Sequence, residues 1–289
     1  MAGLTVGILS PGEMGGSLGK TLRQNGVDVI TSLSGRSDLT RTRAREADIR
    51  DVGSLDSVVS EADLIMSVLV PAEAERVAEE VAASIGGTGA RPIFVDCNAT
   101  ARQTAMRIGS RITEAGSTFV DAGICARRIY CSGPDTGAFE SLRDHGLDIR
   151  RVGPEIGQAS GLKMLHSATT KGTRALWIEL LTAAQAMGLS DALSAELSEG
   201  PDMVTRALID NISHEPKRSR RMIGELEEVA ITFAGLGLTP RMLEGAADMH
   251  RLIAGTALAD QSPREPDPPV DTIVAALATE LRQPSPSHG

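Results

Sequence analysis

Along the first half of the chain, short apolar runs alternate with stretches in which apolar positions recur every three or four residues. The run Leu4-Thr-Val-Gly-Ile-Leu9 predicts a buried strand, and a glycine-rich turn leads into a helix from about Met14 to Asn25 that Gly26 stops. Val27–Thr31 reads as the next strand, Leu55–Glu61 as a short helix with Ser54 as N-cap, and Asp63–Val68 as a strand ended by Pro71. A helix to about Ile85, the strand Ile93–Asp96, the helix Ala101–Ala115 and the strand Thr118–Asp121 follow. Ile129–Cys131, Ala138–Asp144 and Ile149–Val152 then read as strand, helix and strand. Strands that alternate with helices of about 10–15 residues imply βαβ units and a mostly parallel sheet, because parallel neighbours need a crossover.

After Gly157 the pattern changes. Leu162, Leu165, Thr169, Gly172, Leu176, Leu180, Ala183 and Met187 are spaced by three or four, which predicts one apolar face of a single helix of roughly 28 residues. Segments around 191–211, 217–235 and 240–258 also have helical spacing, and nothing there alternates as a strand does. A domain boundary is therefore expected near residue 157, separating an α/β part from an all-helical part over 158–289. From Asp260 onward, Pro263, Pro266, Pro268 and Pro269, one short apolar helix, and then Pro284 and Pro286 predict a tail that is loose or draped over a partner subunit.

Composition narrows the function classes. The 289 residues are 41% hydrophobic and 23% charged, with a formal net charge of −9, which argues against a nucleic-acid partner that needs a broad basic face. Aromatics at 2% leave almost nothing for base stacking. No apolar run approaches the ~18 residues of a membrane span, and the apolar run at Leu4 lacks the cationic flank of a signal peptide. Three cysteines form no disulfide framework, so a reducing cytoplasm is the expected compartment. Cys97, Cys125 and Cys131 also lack metal-ligand spacing, and no metal is expected. These features describe a soluble enzyme or small-molecule binder.

The segment Gly7-Ile-Leu-Ser10-Pro11-Gly12-Glu13-Met14-Gly15 joins the first strand to the first helix. A dinucleotide-binding fold needs glycines there so that backbone can approach a pyrophosphate at a helix N-terminus. The usual G-x-G-x-x-G is incomplete, because Ser10 stands where the first glycine would. After the second strand comes Ser32-Leu-Ser34-Gly35-Arg36-Ser37 rather than the Asp or Glu that accepts from an NAD ribose. An arginine among hydroxyls suits a 2′-phosphate, which favours NADP over NAD; a solvated loop arginine is the plainer alternative.

Four stretches in this order resemble the β-hydroxyacid dehydrogenase superfamily, which includes 3-hydroxyisobutyrate and 6-phosphogluconate dehydrogenases. They are the glycine loop ending in Glu13-Met14-Gly15, the turn Val95-Asp-Cys-Asn-Ala99, the segment Phe119-Val-Asp-Ala-Gly-Ile-Cys-Ala126, and Gly157-Gln-Ala-Ser-Gly-Leu-Lys163. The last is similar to the signature that opens the interdomain helix and carries the catalytic lysine. Lys163-Met and Lys171-Gly-Thr-Arg-Ala-Leu-Trp-Ile-Glu179 look typical of a branch with a domain of unknown function as its C-terminal half. The resemblance implies an N-terminal Rossmann-type doubly wound sheet, residues 1–157, followed by an all-α substrate and dimerisation domain, and a homodimer. It implies cofactor contacts at Ser10, Pro11, Gly12, Glu13, Met14, Ser34, Gly35, Arg36, Ser37, Val70 and Asn98. Substrate contacts are implied at Asn98, Ile124, Cys125, Ala126 and Ser167, and Lys163 is implied as the catalytic residue. Two positions depart from the family pattern. Its Ser-Gly-Gly substrate loop here reads Cys125-Ala126-Arg127, followed by Arg128, and Ser167 stands where an asparagine often follows the lysine.

The residue types suit that chemistry. Lys163, Ser167, Thr170, Lys171 and Arg174 fall in one broad helical stripe. Near the start of a partly buried helix, burial and the positive helix end both favour a neutral amine, which suits a general acid/base. Set against that is a surface lysine that merely snorkels. Asn98 is either a ligand contact or a turn former, and His166, three residues after Lys163, is more often structural. The run Lys217-Arg-Ser-Arg-Arg221 is either a solvated helix face or an anion-attracting patch. The expected activity is NADP-dependent hydride transfer to or from a small, anionic β-hydroxyacid. Imine reduction on the same fold, or NADPH binding without catalysis, are the alternatives.

Overall fold

The computed structural model describes residues 3–199, 207 and 209–281. Two compact units divide the chain between His166 and Ser167.

The first unit is built on eight strands: β1 (Thr5–Leu9), β2 (Asp28–Thr31), β3 (Arg50–Asp51), β4 (Leu64–Ser67), β5 (Ile93–Asp96), β6 (Phe119–Cys125), β7 (Arg128–Ser132) and β8 (Asp148–Gly153). They form one sheet in the order β3-β2-β1-β4-β5-β6-β7-β8. All neighbours run parallel except β6 and β7, which form an antiparallel hairpin. The connecting helices are α1 (Glu13–Gln24), α2 (Asp38–Glu46), α3 (Leu55–Glu61), α4 (Ala74–Thr88), α5 (Arg102–Glu114), α6 (Gly137–Glu140) and α7 (Gln158–Ser167).

Alternate residues of each central strand enter different cores. Ile8, Met66, Val95 and Val120 belong to one buried cluster, whereas Leu9, Ile65, Phe94 and Phe119 belong to the other. A parallel sheet covered on both faces needs such unbroken apolar runs, and they are what made these strands readable. Strand order reverses around β1 and β4, and open α/β sheets bind ligands outside the carboxyl ends of strands at such a switch point.

Three stretches of the first unit differ from expectation. The α2 helix and the β3 strand were not predicted: α2 buries only Ala44, and both residues of the β3 edge are exposed, so neither carries an apolar period. The α2 helix is instead set by its cap, with the Ser37 hydroxyl accepting from the Thr40 amide at 3.3 Å. The β6 strand runs four residues past Asp121, to Cys125, and all seven of its residues are buried.

Every regular element described in the second unit is helical: α8 (Thr173–Met187), α9 (Ser190–Glu199), α10 (Ser219–Gly235), α11 (Arg241–Ala254) and α12 (Val270–Glu280), with short 3-10 turns. The expected helix over 191–211 lies partly outside the described residues. Ile178, Ile212, Ile253, Ile273 and Leu277 form the fully buried core. Ile273 and Leu277 belong to α12, so the tail is packed rather than loose through residue 280; two apolar residues one helical turn apart were enough to anchor it. The predicted 28-residue helix is interrupted by a π-helical segment, Ala168–Gly172. A π turn holds an extra residue per turn, so spacing read straight through it does not mark one face. In α8 the buried positions are Ala175, Ile178, Thr182 and Ala184, while Leu176, Leu180 and Met187 are exposed.

Candidate active site

Pairing aligns Leu9, Ser67, Asp96 and Asp121 in one row across β1, β4, β5 and β6. The expected site residues of the first unit follow this row in sequence and so gather along the carboxyl edge of the sheet.

At β1, Ser10 adopts the left-handed conformation (φ 65°) that favours glycine. Pro11 is buried, Gly12 is the N-cap of α1 without any side-chain cap, and Glu13 and Met14 are exposed in the first turn. A Cβ on Gly15 would lie 2.7 Å from the Ser10 carbonyl oxygen, and one on Gly19 would lie 2.6 Å from Ile49 Cδ1. The first glycine lets the loop curl onto the helix start, and the second lets the helix lie close to its neighbours. Uncapped amides at the start of a twelve-residue helix suit a pyrophosphate.

At β2, the Ser32 hydroxyl donates to the Gly53 carbonyl at 3.2 Å. The nearby carboxylate, Asp51, already accepts from the Leu33 and Gly53 amides at 3.1 and 3.0 Å. Ser34, Gly35 and Ser37 are exposed, with Gly35 at φ 69°. Arg41 Nε donates to the Arg36 carbonyl at 3.2 Å and pins that backbone, while the Arg36 guanidinium makes no hydrogen bond or ion pair among the described residues.

At β4 and β5, Val70 is half exposed (50%), whereas Asn98 is buried. The Asn98 amide is fully used inside the protein. Its Oδ1 accepts from the Leu69 amide at 2.5 Å, and its Nδ2 donates to Ser67 Oγ at 3.0 Å and to Asp96 Oδ1. Asn98 thus clamps the loop after β4 to that after β5.

At β6, Lys163 of α7 is half-buried, and its Nζ donates to the Ile124 carbonyl at 2.6 Å. Ile124 and Cys125 have buried side chains and offer this edge only backbone. Ala126 is exposed and adopts φ 56° in the two-residue turn between β6 and β7. A positive φ at the first central position of a hairpin turn normally selects glycine. Arg127 and Arg128 are exposed beside it.

Two further residues of β6 lie against the helix that carries Lys163. Asp121 is fully buried, and its carboxylate accepts from the amides of Gly157, Ala159 and Ser160 at 2.9, 3.0 and 3.1 Å. Hydroxyls of Ser132 (2.8 Å) and Ser160 (2.5 Å) complete its shell. A Cβ on Gly123 would lie 2.8 Å from Lys163 Cβ and 2.9 Å from the Ala159 carbonyl oxygen. Both lie in the Phe119–Ala126 stretch that carries the family resemblance, but neither was singled out within it.

In the second unit the rest of the polar stripe turns inward. Ser167 is buried, and its hydroxyl accepts from Lys171 Nζ at 3.4 Å. Lys171 pairs with Glu225, and Arg174 with the buried Glu215. His250 is fully buried 3.7 Å from Glu215; burial pushes its pKa below the ordinary value, assisted by Arg174 and Lys171 and opposed by Glu215 and Glu225. His166 is exposed. The basic run is largely neutralised: Lys217 pairs with Asp267 at 2.9 Å, Arg220 with Asp260 at 2.6 Å, and Arg221 lies 3.8 Å from Glu225. It staples α10 to the segment before α12 rather than presenting a free anion patch.

Burial raises the pKa of the Cys97 thiol well above its usual range, and raises that of Cys131 to about 11, so neither supplies a thiolate near neutral pH. Among the described residues no helix is long and apolar enough to cross a membrane.

A doubly wound sheet with a glycine loop at β1–α1 and an open carboxyl edge defines a nicotinamide-dinucleotide-binding oxidoreductase fold. Residues 5–129 match the NAD-binding domain of 6-phosphogluconate dehydrogenase, and residues 184–253 match a domain of unknown function, DUF1932. The solved structure of the conserved protein MTH1747, described as structurally similar to 3-hydroxyacid dehydrogenases, is 32% identical, with coverage of 88% of this chain and 100% of that one and a TM-score of 0.65. An uncharacterised 28.5 kDa protein of Methanothermus fervidus is 27% identical over 86% of this chain and 99% of its own length. The 3-hydroxyisobutyrate dehydrogenase of Mycobacterium tuberculosis, solved with L-serine, shares the fold at 17% identity and TM-score 0.67, over 98% of this chain and 100% of that one. The chain belongs to the β-hydroxyacid dehydrogenase superfamily of NAD(P)-dependent oxidoreductases.

Proposed function

We propose that the protein is an NADP-dependent oxidoreductase that moves a hydride between the nicotinamide and a small β-hydroxyacid or its carbonyl counterpart, with Lys163 as general acid/base. The observation that carries this reading is the placement of the Lys163 amine on the Ile124 carbonyl, at the strand end where the family's substrate loop begins.

The uncapped first turn of α1 at Gly12–Met14 holds the pyrophosphate, and Arg36 with Ser34, Gly35 and Ser37 holds the 2′-phosphate. Val70 offers an apolar contact from the loop after β4, and Asn98 keeps that loop in place. The bound cofactor supplies the hydride acceptor or donor. In the oxidative direction Lys163 takes the proton of the substrate hydroxyl; in reduction it returns that proton to the developing alkoxide. Its hydrogen bond to Ile124 holds the amine in place until substrate arrives. The exposed Arg127 and Arg128 beside Ala126 suit an anionic substrate in place of the missing glycine amides. The exposed Leu176, Leu180, Met187 and Met242 of the second unit are in keeping with a homodimer interface.

A panel of 2- and 3-hydroxyacids, sugar acids, phosphorylated analogues and cyclic imines, followed by absorbance of NADPH and NADH, tests this reading. Turnover of a hydroxyacid or its carbonyl partner with NADPH is expected. Turnover of cyclic imines alone would overturn the hydroxyacid assignment, and the altered Cys125-Ala126-Arg127 loop is the feature that favours that second chemistry.

A further inference from the structure

Two positions on one face of β6, two residues apart, run beneath α7: Asp121 and Gly123. At the first, the buried carboxylate takes the amides of Gly157, Ala159 and Ser160, the free donors of the α7 N-terminus. The Ser132 hydroxyl, which donates to this carboxylate, also accepts from the Ala159 amide at 2.9 Å. At the second, the missing side chain lets the helix come down until Lys163 Cβ and the Ala159 carbonyl would crowd any Cβ. Ala159 and Lys163 are four residues apart and share the face pressed on β6. Beyond them the amine meets the Ile124 carbonyl.

We infer that Asp121 is a positioning residue for Lys163: by binding the α7 amides it fixes where that helix lies along β6, and so places the amine at the strand's carboxyl end. A register slip of one residue would rotate Lys163 by about 100° around the helix and carry the amine off the edge. Five donors on one carboxylate, from one strand and a helix start, hold against such a slip as a neutral cap with a single hydroxyl does not. This rests on the proposed role of Lys163 only for its catalytic consequence, since the placement of the amine can be read without turnover.

The test compares wild type with Asp121→Asn, which keeps shape but removes acceptor capacity, and with a Ser132→Ala, Ser160→Ala double variant, which keeps the carboxylate and its three amides. The chain has only four lysines, Lys20, Lys163, Lys171 and Lys217, so acylation of each is resolved by mass spectrometry with three internal references. Asp121→Asn is expected to raise labelling of Lys163 at least about fivefold relative to the other three and to speed exchange of the Gly157–Ser160 amides. NADPH affinity should stay within about twofold, and on a substrate found in the panel kcat should fall at least tenfold with little change in KM. The double variant should lie close to wild type in all four. If Asp121→Asn does not fold, Asp121→Glu, which keeps the charge but displaces the carboxylate by one methylene from the three amides, takes its place and should raise Lys163 labelling by a smaller, selective factor. Unchanged Lys163 labelling in a folded variant with faster Gly157–Ser160 exchange overturns the inference. Altered labelling with full turnover in Lys163→Ala would instead uphold the positioning and refute the acid/base role.

Discussion

The Lys163 amine and the Ile124 carbonyl oxygen lie 2.6 Å apart, which ties the helix that opens beyond β8 to the carboxyl end of β6. Gly123, next to Ile124, makes the contact possible. A Gly123→Ala substitution puts a methyl carbon 2.8 Å from Lys163 Cβ and 2.9 Å from the Ala159 carbonyl oxygen, where backbone rather than a flexible tip must yield. Such overpacking costs about 1–3 kcal/mol. The expected result is a lowered melting temperature for the first unit together with reduced turnover, measured by calorimetry and by cofactor absorbance. An unchanged melting temperature would mean that α7 is free to move outward.

Ala126 holds φ 56° at an exposed turn, where a non-glycine residue costs roughly 1–2 kcal/mol. Ala126→Gly removes that cost and gives back part of it through the more flexible unfolded chain. A net gain of up to about 1 kcal/mol is expected, read as a small rise in melting temperature. A fall would show that the alanine methyl makes a contact worth more than the strain.

Arg36→Ala should weaken NADPH binding by about 10- to 100-fold, the range for loss of charged hydrogen bonds, and change NADH binding by less than about twofold. Titration of the protein with each cofactor by fluorescence or calorimetry reads both. Equal losses would place Arg36 elsewhere than at the 2′-phosphate.

Burial lowers the pKa of His250 from its ordinary value of 6.5, so in acid the unfolded chain takes up a proton that the folded chain does not. Stability of the second unit is therefore complete above about pH 6.5 and falls as pH drops from there toward the depressed value of the folded state. Neither ring nitrogen of His250 has a hydrogen-bond partner, so His250→Met should fold with little loss near pH 7.5. Melting temperatures from pH 7.5 to 5.5 should decline less steeply in the variant than in wild type. Parallel declines would assign the acid sensitivity to other groups.

The central strands of the first unit were legible because both faces of the sheet are buried there, which forces runs such as Ile93–Asp96 to be largely apolar. The glycine loop was legible, and Lys163 could be proposed, because local spacing carries both. The α2 helix was not, since Asp38–Glu46 faces solvent on nearly every side and depends on the Ser37 cap. Asp121 was not, because its partners lie 36 to 39 residues away and become neighbours only after folding. Asn98 was visible as a residue but not as a clamp, because its amide is consumed by Ser67, Leu69 and Asp96 across two strand ends. The apolar stripe was misassigned because α8 is apolar on two sides and sequence spacing does not say which side meets Ile253 and Ile273.

The proposed role of the Lys163 amine is to carry the substrate proton. The most direct measurement is a single-turnover reaction of NADPH-loaded protein with a reducible substrate, comparing wild type with Lys163→Ala at matched cofactor occupancy. Loss of a general acid predicts a rate of nicotinamide oxidation about 10²–10⁴ times slower at unchanged NADPH affinity. Oxidation at the wild-type rate in the alanine variant would contradict it.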